Sequence, residues 1–294
     1  MNEIFKALLS EAQFTHEILV SGVYDIQKAN YARKGAYFQA FTNLATGLER
    51  IGKLCVILDY HIENKGAFPN LKYMKNKIGH DLNMLYETSK EMVLKYDISF
   101  QYLKNLDVKI HSDILQILSS SAKGDRYSNI DFITTKNRTS DPIKDWFQKV
   151  DCLLFFGKVS RKKQSDIDNN TQIIQRAIAQ IPHSTIYTNE VGLQMDYGEA
   201  SYKTGMNQAI LKYRRLYIIH VIRYWAEIIK ALQYKAMSQT FPEQNIPYFN
   251  EIFACFYNDD RYFLMIDTFL SIRNLTANAS PLKHLSPMPP QIVL

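Results

Sequence analysis

The stretch YFQAFTNLATGLERIGKLCVILDY, residues 37–60, decides the fold. Its apolar side chains Phe38, Phe41, Leu44, Ala45, Leu48, Ile51, Cys55 and Leu58 recur every three to four positions, which lines one face of an α-helix. No proline occurs before Pro69, so nothing breaks that stripe, and it predicts a helix over residues 33–62. Upstream, Leu8, Leu9, Ala12, Ile18 and Leu19 begin a similar face. Downstream, ENKGAFPN reads as a turn from its Gly, Pro and Asn. Gly79 breaks the chain again, and Asp81 is placed to cap a helix carrying Leu82, Leu85, Met92 and Val93. Leu103, Leu106, Ile110, Ile114 and Leu118 predict another helix over 98–120.

The polar segment SSSAKGDRYSNIDFITTKNRTSDP follows, either an ordered functional loop or a domain boundary. As a boundary it divides the chain into residues 1–140 and 141–294, which could equally pack together as one unit. DPIKDWFQKVDCLLFFGKV restarts the helical pattern, with Asp141 as cap and Pro142 in the first turn. KVSRKKQSDIDNN is charged and solvated. Residues 184–205 alternate poorly and suit a short strand or hairpin; 206–240 are helical, and 247–273 suit two short helices. The last twenty residues are proline-rich and extended. The fold class is all-α, with an up-and-down bundle in the N-terminal half and a further mainly helical region behind it.

Composition agrees. Of 294 residues, 46% are hydrophobic and 22% charged, enough to bury a core. Gly 11 and Pro 9 are scarce beside Tyr 19 and Phe 16, which leaves little material for glycine-rich phosphate loops. Motifs of the forms GxGxxG, GxxxxGK[ST], HExxH and GxSxG are absent, which disfavours nucleotide-binding folds, zincins and α/β-hydrolases. No metal and no organic cofactor is expected. Cys55, Cys152 and Cys255 lie far apart in apolar runs and read as buried thiols. No secretory signal is recognisable at the start, and apolar runs of about five to seven residues fall far short of a bilayer's thickness. A cytoplasmic protein without membrane contact is expected. The net charge of +6 suits a polyanion as partner and equally suits a soluble protein with an ordinary charge imbalance.

Chemistry has to come from arginine and histidine. Cleaving RNA without a metal needs a base for the 2′-hydroxyl and a cation for the developing phosphorane. Arg215 and His220, in RLYIIH, have that spacing on one helix, although His220 sits in an apolar run and equally reads as a satisfied core histidine. Arg176 and His183 have it less well, because Pro182 ends the helix between them. In GDRYSNID, Arg126 and Tyr127 could hold a phosphate and stack on a base beside Asn129 and Asp131; they could as well satisfy a turn and anchor a loop. Two basic groups could track RNA: Arg161-Lys162-Lys163, and Arg214-Arg215 with Arg223, interleaved by Tyr213, Tyr217 and Tyr224. Both equally suit solvated helix faces.

The stretch from residue 37 to 92, YFQAFTNLATGLERIGKLCVILDY with KIGHDLNMLYE after the turn, resembles the helical core of HEPN-type proteins. Glu49 and Lys53 match that superfamily's E-x3-K element, and His80, Asp81 and Leu82 its HDL element. The resemblance implies a bundle that dimerises. It further implies a metal-independent endoribonuclease of a toxin–antitoxin or anti-phage system, or a non-catalytic relative serving as scaffold or regulator. RNA, a cognate regulatory protein and a second copy are the implied partners. Active members carry R-x4–6-H on the last bundle helix. In residues 1–140 the equivalent position is near Arg126, where no histidine follows; Arg215 and His220 fit the motif but lie far downstream.

Overall fold

The computed structural model describes residues 2–77, 81–123, 128–135, 141–178, 184–239 and 246–266. Among them the chain is all-α, with one small hairpin as its exception. Helix α1 (Glu3–Lys28) turns back into α2 (Lys34–Glu63), within a residue of the range predicted from the stripe. The two pack unusually closely because each sets a leucine over the other's glycine. A Cβ at Gly22 would stand 2.7 Å from Leu44 Cγ, and one at Gly47 would stand 2.6 Å from Leu19 Cγ. Only glycine admits that approach.

After α3 (Leu71–Lys77), Asp81 caps α4 (Leu82–Lys95) by accepting from the Asn83 amide at 2.9 Å. The same carboxylate accepts from Ser119 Oγ at 3.1 Å and pairs with Lys123 at 2.5 Å, so it also ties α4 to α5 (Lys109–Lys123). Asp81→Ala is expected to remove about 1–2 kcal/mol of stability, the cap plus a half-exposed ion pair, measured as a lowered denaturation midpoint. Asp81→Asn should keep much of the cap contribution and lose only the pair.

The helix predicted over 98–120 starts eleven residues late. A left-handed turn at Asp97 (φ 49°) follows α4, and residues 99–108 run irregularly. Their amides are satisfied by side chains instead, Gln101 donating to Glu227 and Leu106 to Tyr86. Leu106 is nevertheless fully buried, so its apolar spacing reported burial but not helix.

Short helix α6 (Ser128–Thr135) precedes α7 (Pro142–Trp146), where Asp141 caps and Pro142 opens the first turn. The chain continues through a π turn (Phe147–Asp151) into α8 (Cys152–Lys158). Ser160 then caps α9 (Arg161–Ala177), an exposed helix where the sequence promised only a solvated segment. Strands β1 (Ser184–Thr188) and β2 (Gln194–Asp196) pair antiparallel, Thr188 opposite Gln194.

The longest helix is α10 (Tyr197–Met237). It begins nine residues before the predicted stretch because Asp196 caps it, accepting from the Glu199 amide at 2.7 Å. Its middle is buried on every side, through Ile218, Ile219, Val221, Ile222, Trp225 and Ile228. It packs on α1, α2, α4 and α5 along one side and on α8 and α9 along another. Residues before and after 140 therefore share one hydrophobic core. Two short helices, α11 (Phe249–Ile252) and α12 (Asp260–Met265), lie across α10, with Phe249 and Phe263 fully buried.

Candidate functional site

Burial on all sides forces the polar side chains in the middle of α10 to find partners inside the protein. Arg214 and Arg215, expected to meet RNA phosphates, point inward instead; they are 1% and 2% exposed. Arg214 donates to both oxygens of Asp151 at 2.7 and 2.5 Å, to Ala29 O at 2.8 Å, and to Asn207 Oδ1 at 2.8 Å. Trp146 Nε1 donates to the same carboxylate at 2.9 Å. The π turn matters here, because one residue more or fewer would rotate Asp151 by about 100° off its partner. Neither an RNA contact nor a solvated face describes Arg214: it is a core ion pair.

Arg215 clamps the chain end. Its guanidinium donates to Phe263 O at 2.9 and 2.6 Å, to Ile266 O at 2.7 Å and to Gln27 Oε1 at 3.3 Å. It does not reach His220, so the two do not form the expected pairing of cation and base. Five residues span about 500° of helix, which leaves the two side chains offset by roughly 140° around α10.

His220 finds other company. Its Nε2 lies 3.0 Å from Asp260 Oδ1 on α12, and its Nδ1 lies 3.1 Å from His111 Nε2 on α5. An ionised carboxylate only accepts, so His220 Nε2 carries a proton, and its Nδ1 accepts from His111 Nε2–H. His111 Nδ1 is then the bare lone pair at the end of this Asp260–His220–His111 series, and it is buried without a hydrogen-bond partner. Arg223 donates to the same Asp260 oxygen at 2.7 Å and to Asn258 O at 2.6 Å, with its guanidinium 4.2 Å from the centre of the Tyr102 ring. Tyr217 borders both imidazoles, with ring centres 5.2 and 5.3 Å away.

The electrostatics follow. Burial lowers the His111 pKa to about 4, with the neighbouring His220 adding to the effect. Burial also lowers His220, Asp260 opposing and Arg223 and Lys158 assisting. Burial works against the Asp260 charge, but hydrogen bonds from Arg223 and His220 and their charge bring its pKa below the ordinary carboxylate value. Both imidazoles are therefore neutral at neutral pH.

Lys158 links this cluster to a cavity of about 650 Å³ between α8, α9 and α10: it lines the cavity and reaches 5.9 Å from the Tyr217 ring. Lys163 and Lys212 line it too, and Arg215 stands in its wall. The sequence placed Arg161, Lys162 and Lys163 correctly on an exposed face, and of these Lys163 enters the cavity.

A second cavity, of about 610 Å³, lies between α1, α2 and α5. Glu49 and Lys53 line it and pair one turn apart, and Arg50 holds Glu11 through both its oxygens at 2.7 and 2.8 Å. Among the other expected site residues, His80, Arg126, Tyr127 and His183 lie outside the described residues, as do the side chains of Asn129 and Asp131.

Sequence reading missed His111, Asp260, Lys158 and Lys212. Tyr217, His220, Tyr224 and Glu227 do recur at helical spacing, but partners 40 to 109 positions distant carry no local signal. Among the described residues, no group of three or more His, Cys, Asp or Glu could hold a metal, and no helix is long and apolar enough to cross a membrane. Compared with protein-family models, with curated proteins and with solved structures, the chain matches none of them.

Proposed function

We propose that this chain is a HEPN-like RNA-binding protein without nuclease activity, which holds RNA on the basic face formed by α8, the start of α9 and α10. One contrast carries the reading. The groups that cleavage would need are spent internally: both His220 nitrogens are bonded, four Arg215 donor contacts go to Phe263 O, Ile266 O and Gln27, and the free lone pair on His111 is buried. Lys158, Lys163 and Lys212 are exposed, and no carboxylate among the described residues pairs with them. Phosphates are the natural counter-ions for such a face. The HEPN likeness draws support from α10. It carries Arg215-x4-His220 and packs against α1, α2, α4 and α5, as the last long helix of a bundle would. In this reading a second copy and a cognate regulatory protein are further partners.

One observation favours a nuclease instead. The chain Asp260–His220–His111 orients a neutral imidazole as the carboxylate of a catalytic triad does. A single experiment decides. The purified protein is titrated into fluorescent single-stranded RNA at low and high salt, then incubated with total RNA in EDTA beside His220→Gln. Salt-sensitive binding without cleavage is expected. EDTA-resistant cleavage lost in His220→Gln would replace this reading with the nuclease, and no binding at low salt would end the RNA reading altogether.

A further inference from the structure

We infer that the cavity between α8, α9 and α10 is a binding site for a nucleoside monophosphate, free or as the 5′-phosphorylated end of an RNA. The RNA form rests on the function proposed above; the nucleotide form does not.

Three features select this ligand. The first is charge. Lys158, Lys163 and Lys212 converge on one cavity, and no carboxylate lines it among the described residues. Like charges so arranged repel one another until an anion sits between them. A terminal phosphate near neutral pH carries about −1.5 to −2 charges, an internal phosphodiester only one, so three lysines suit the end of a strand better than its middle.

The second is size and lining. At about 650 Å³ the cavity is far larger than a bare phosphate requires and falls within the roughly 300–1,000 Å³ of small-molecule sites. Leu264 and Met265 line it as well; Leu264 packs partly on the core, and Met265, 68% exposed, offers an apolar surface to the cavity. Lys212 lies 5.2 Å from the centre of the half-buried Tyr213 ring, which lines the same cavity, so a cation and an aromatic ring adjoin there. A phosphate joined to a flat base would satisfy both kinds of wall.

The third is rigidity. The apolar wall is the stretch that Arg215 fastens through Phe263 O and Ile266 O, and Ser160 and Lys163, which also line the cavity, belong to the capped start of α9. Neither wall has to be ordered on binding, which keeps the entropic cost of capture small.

The test titrates the full chain with adenosine 5′-monophosphate, adenosine and inorganic phosphate by calorimetry. It then compares 5′-phosphorylated and 5′-hydroxyl RNA octamers of one sequence. The monophosphate is expected to bind at least about tenfold tighter than either adenosine or phosphate, and the phosphorylated octamer about tenfold tighter than its hydroxyl twin. Lys158→Gln/Lys163→Gln/Lys212→Gln should abolish both preferences while circular dichroism shows an unchanged fold. Tyr213→Leu should weaken the monophosphate and leave phosphate alone. Equal affinities for the three small molecules, or a lysine variant that binds the monophosphate like the parent, would overturn the inference. RNA bound without preference for its end would overturn the RNA form of the inference and leave the proposed function standing. Monophosphate bound with no affinity for RNA would keep the nucleotide site and overturn the proposed function.

Discussion

Asp151→Ala is expected to cost about 3–5 kcal/mol of folding stability, because it leaves the Arg214 guanidinium in the core without its counter-charge. Both side chains are completely inaccessible to solvent, and two direct hydrogen bonds join them. Burial disfavours the Arg214 charge, but the Asp151 carboxylate more than offsets that and holds the proton firmly. The Trp146 indole would lose its acceptor in the same variant. Arg214→Met/Asp151→Leu removes both charges together and should recover most of the loss, since a buried pair contributes little net stability against an apolar replacement. Chemical denaturation of the two variants beside the parent measures both values. A loss under about 1 kcal/mol for Asp151→Ala would mean that water reaches the pair.

Acidification should destabilise the fold on the order of 2–3 kcal/mol through His111 and His220. His111 is held neutral down to about pH 4, whereas in the unfolded chain it accepts a proton near its ordinary value of 6.5. The unfolded state thus binds more protons between those values, and stability falls as pH falls through that window. It is complete above pH 6.5 and lost by pH 4. His220 shifts in the same direction. Protonating the pair would set two imidazoliums with nitrogens 3.1 Å apart beside Arg223 and Lys158, with Asp260 as the facing counter-charge and Tyr217 flanking both rings. Melting temperatures taken from pH 7.5 to 4.5 should drop steeply for the parent and less for His111→Phe. Parallel profiles for the two proteins would contradict this assignment.

How much of this was legible beforehand depends on distance along the chain. Periodicity found α2 nearly to the residue and predicted the Asp81 and Asp141 caps, because a helix face and a cap are decided within one or two turns. The same periodicity failed at 98–108. There Leu103 and Leu106 are drawn toward the core while Tyr86 and Glu227, twenty and more residues away, take over the backbone amides.

Candidate sites fared according to the same rule. The basic run at the start of α9 is exposed, as its charge density requires. Arg214 and Arg215 look alike in sequence and equally suited to phosphate, yet both are buried, because α10 is enclosed and no free face remains at that depth. Spacing on one helix put Arg215 and His220 within reach on paper. Their side chains diverge in space, and Arg223, three residues from His220, becomes the cation on Asp260 instead.

By itself, then, the sequence determined the all-α class, the position of α2, the caps and the exposed lysines of α9. Each depends on neighbours within a turn or on the cost of hiding charge from water. The tertiary structure alone decided that α10 is the shared centre of both halves. It also decided that its arginines are internal ties, and that His111, His220 and Asp260 meet in one chain beside a lysine-lined cavity. Those outcomes turn on which helices cover α10, and side chains from three or four distant segments must be brought together before any of their charges acquires a partner.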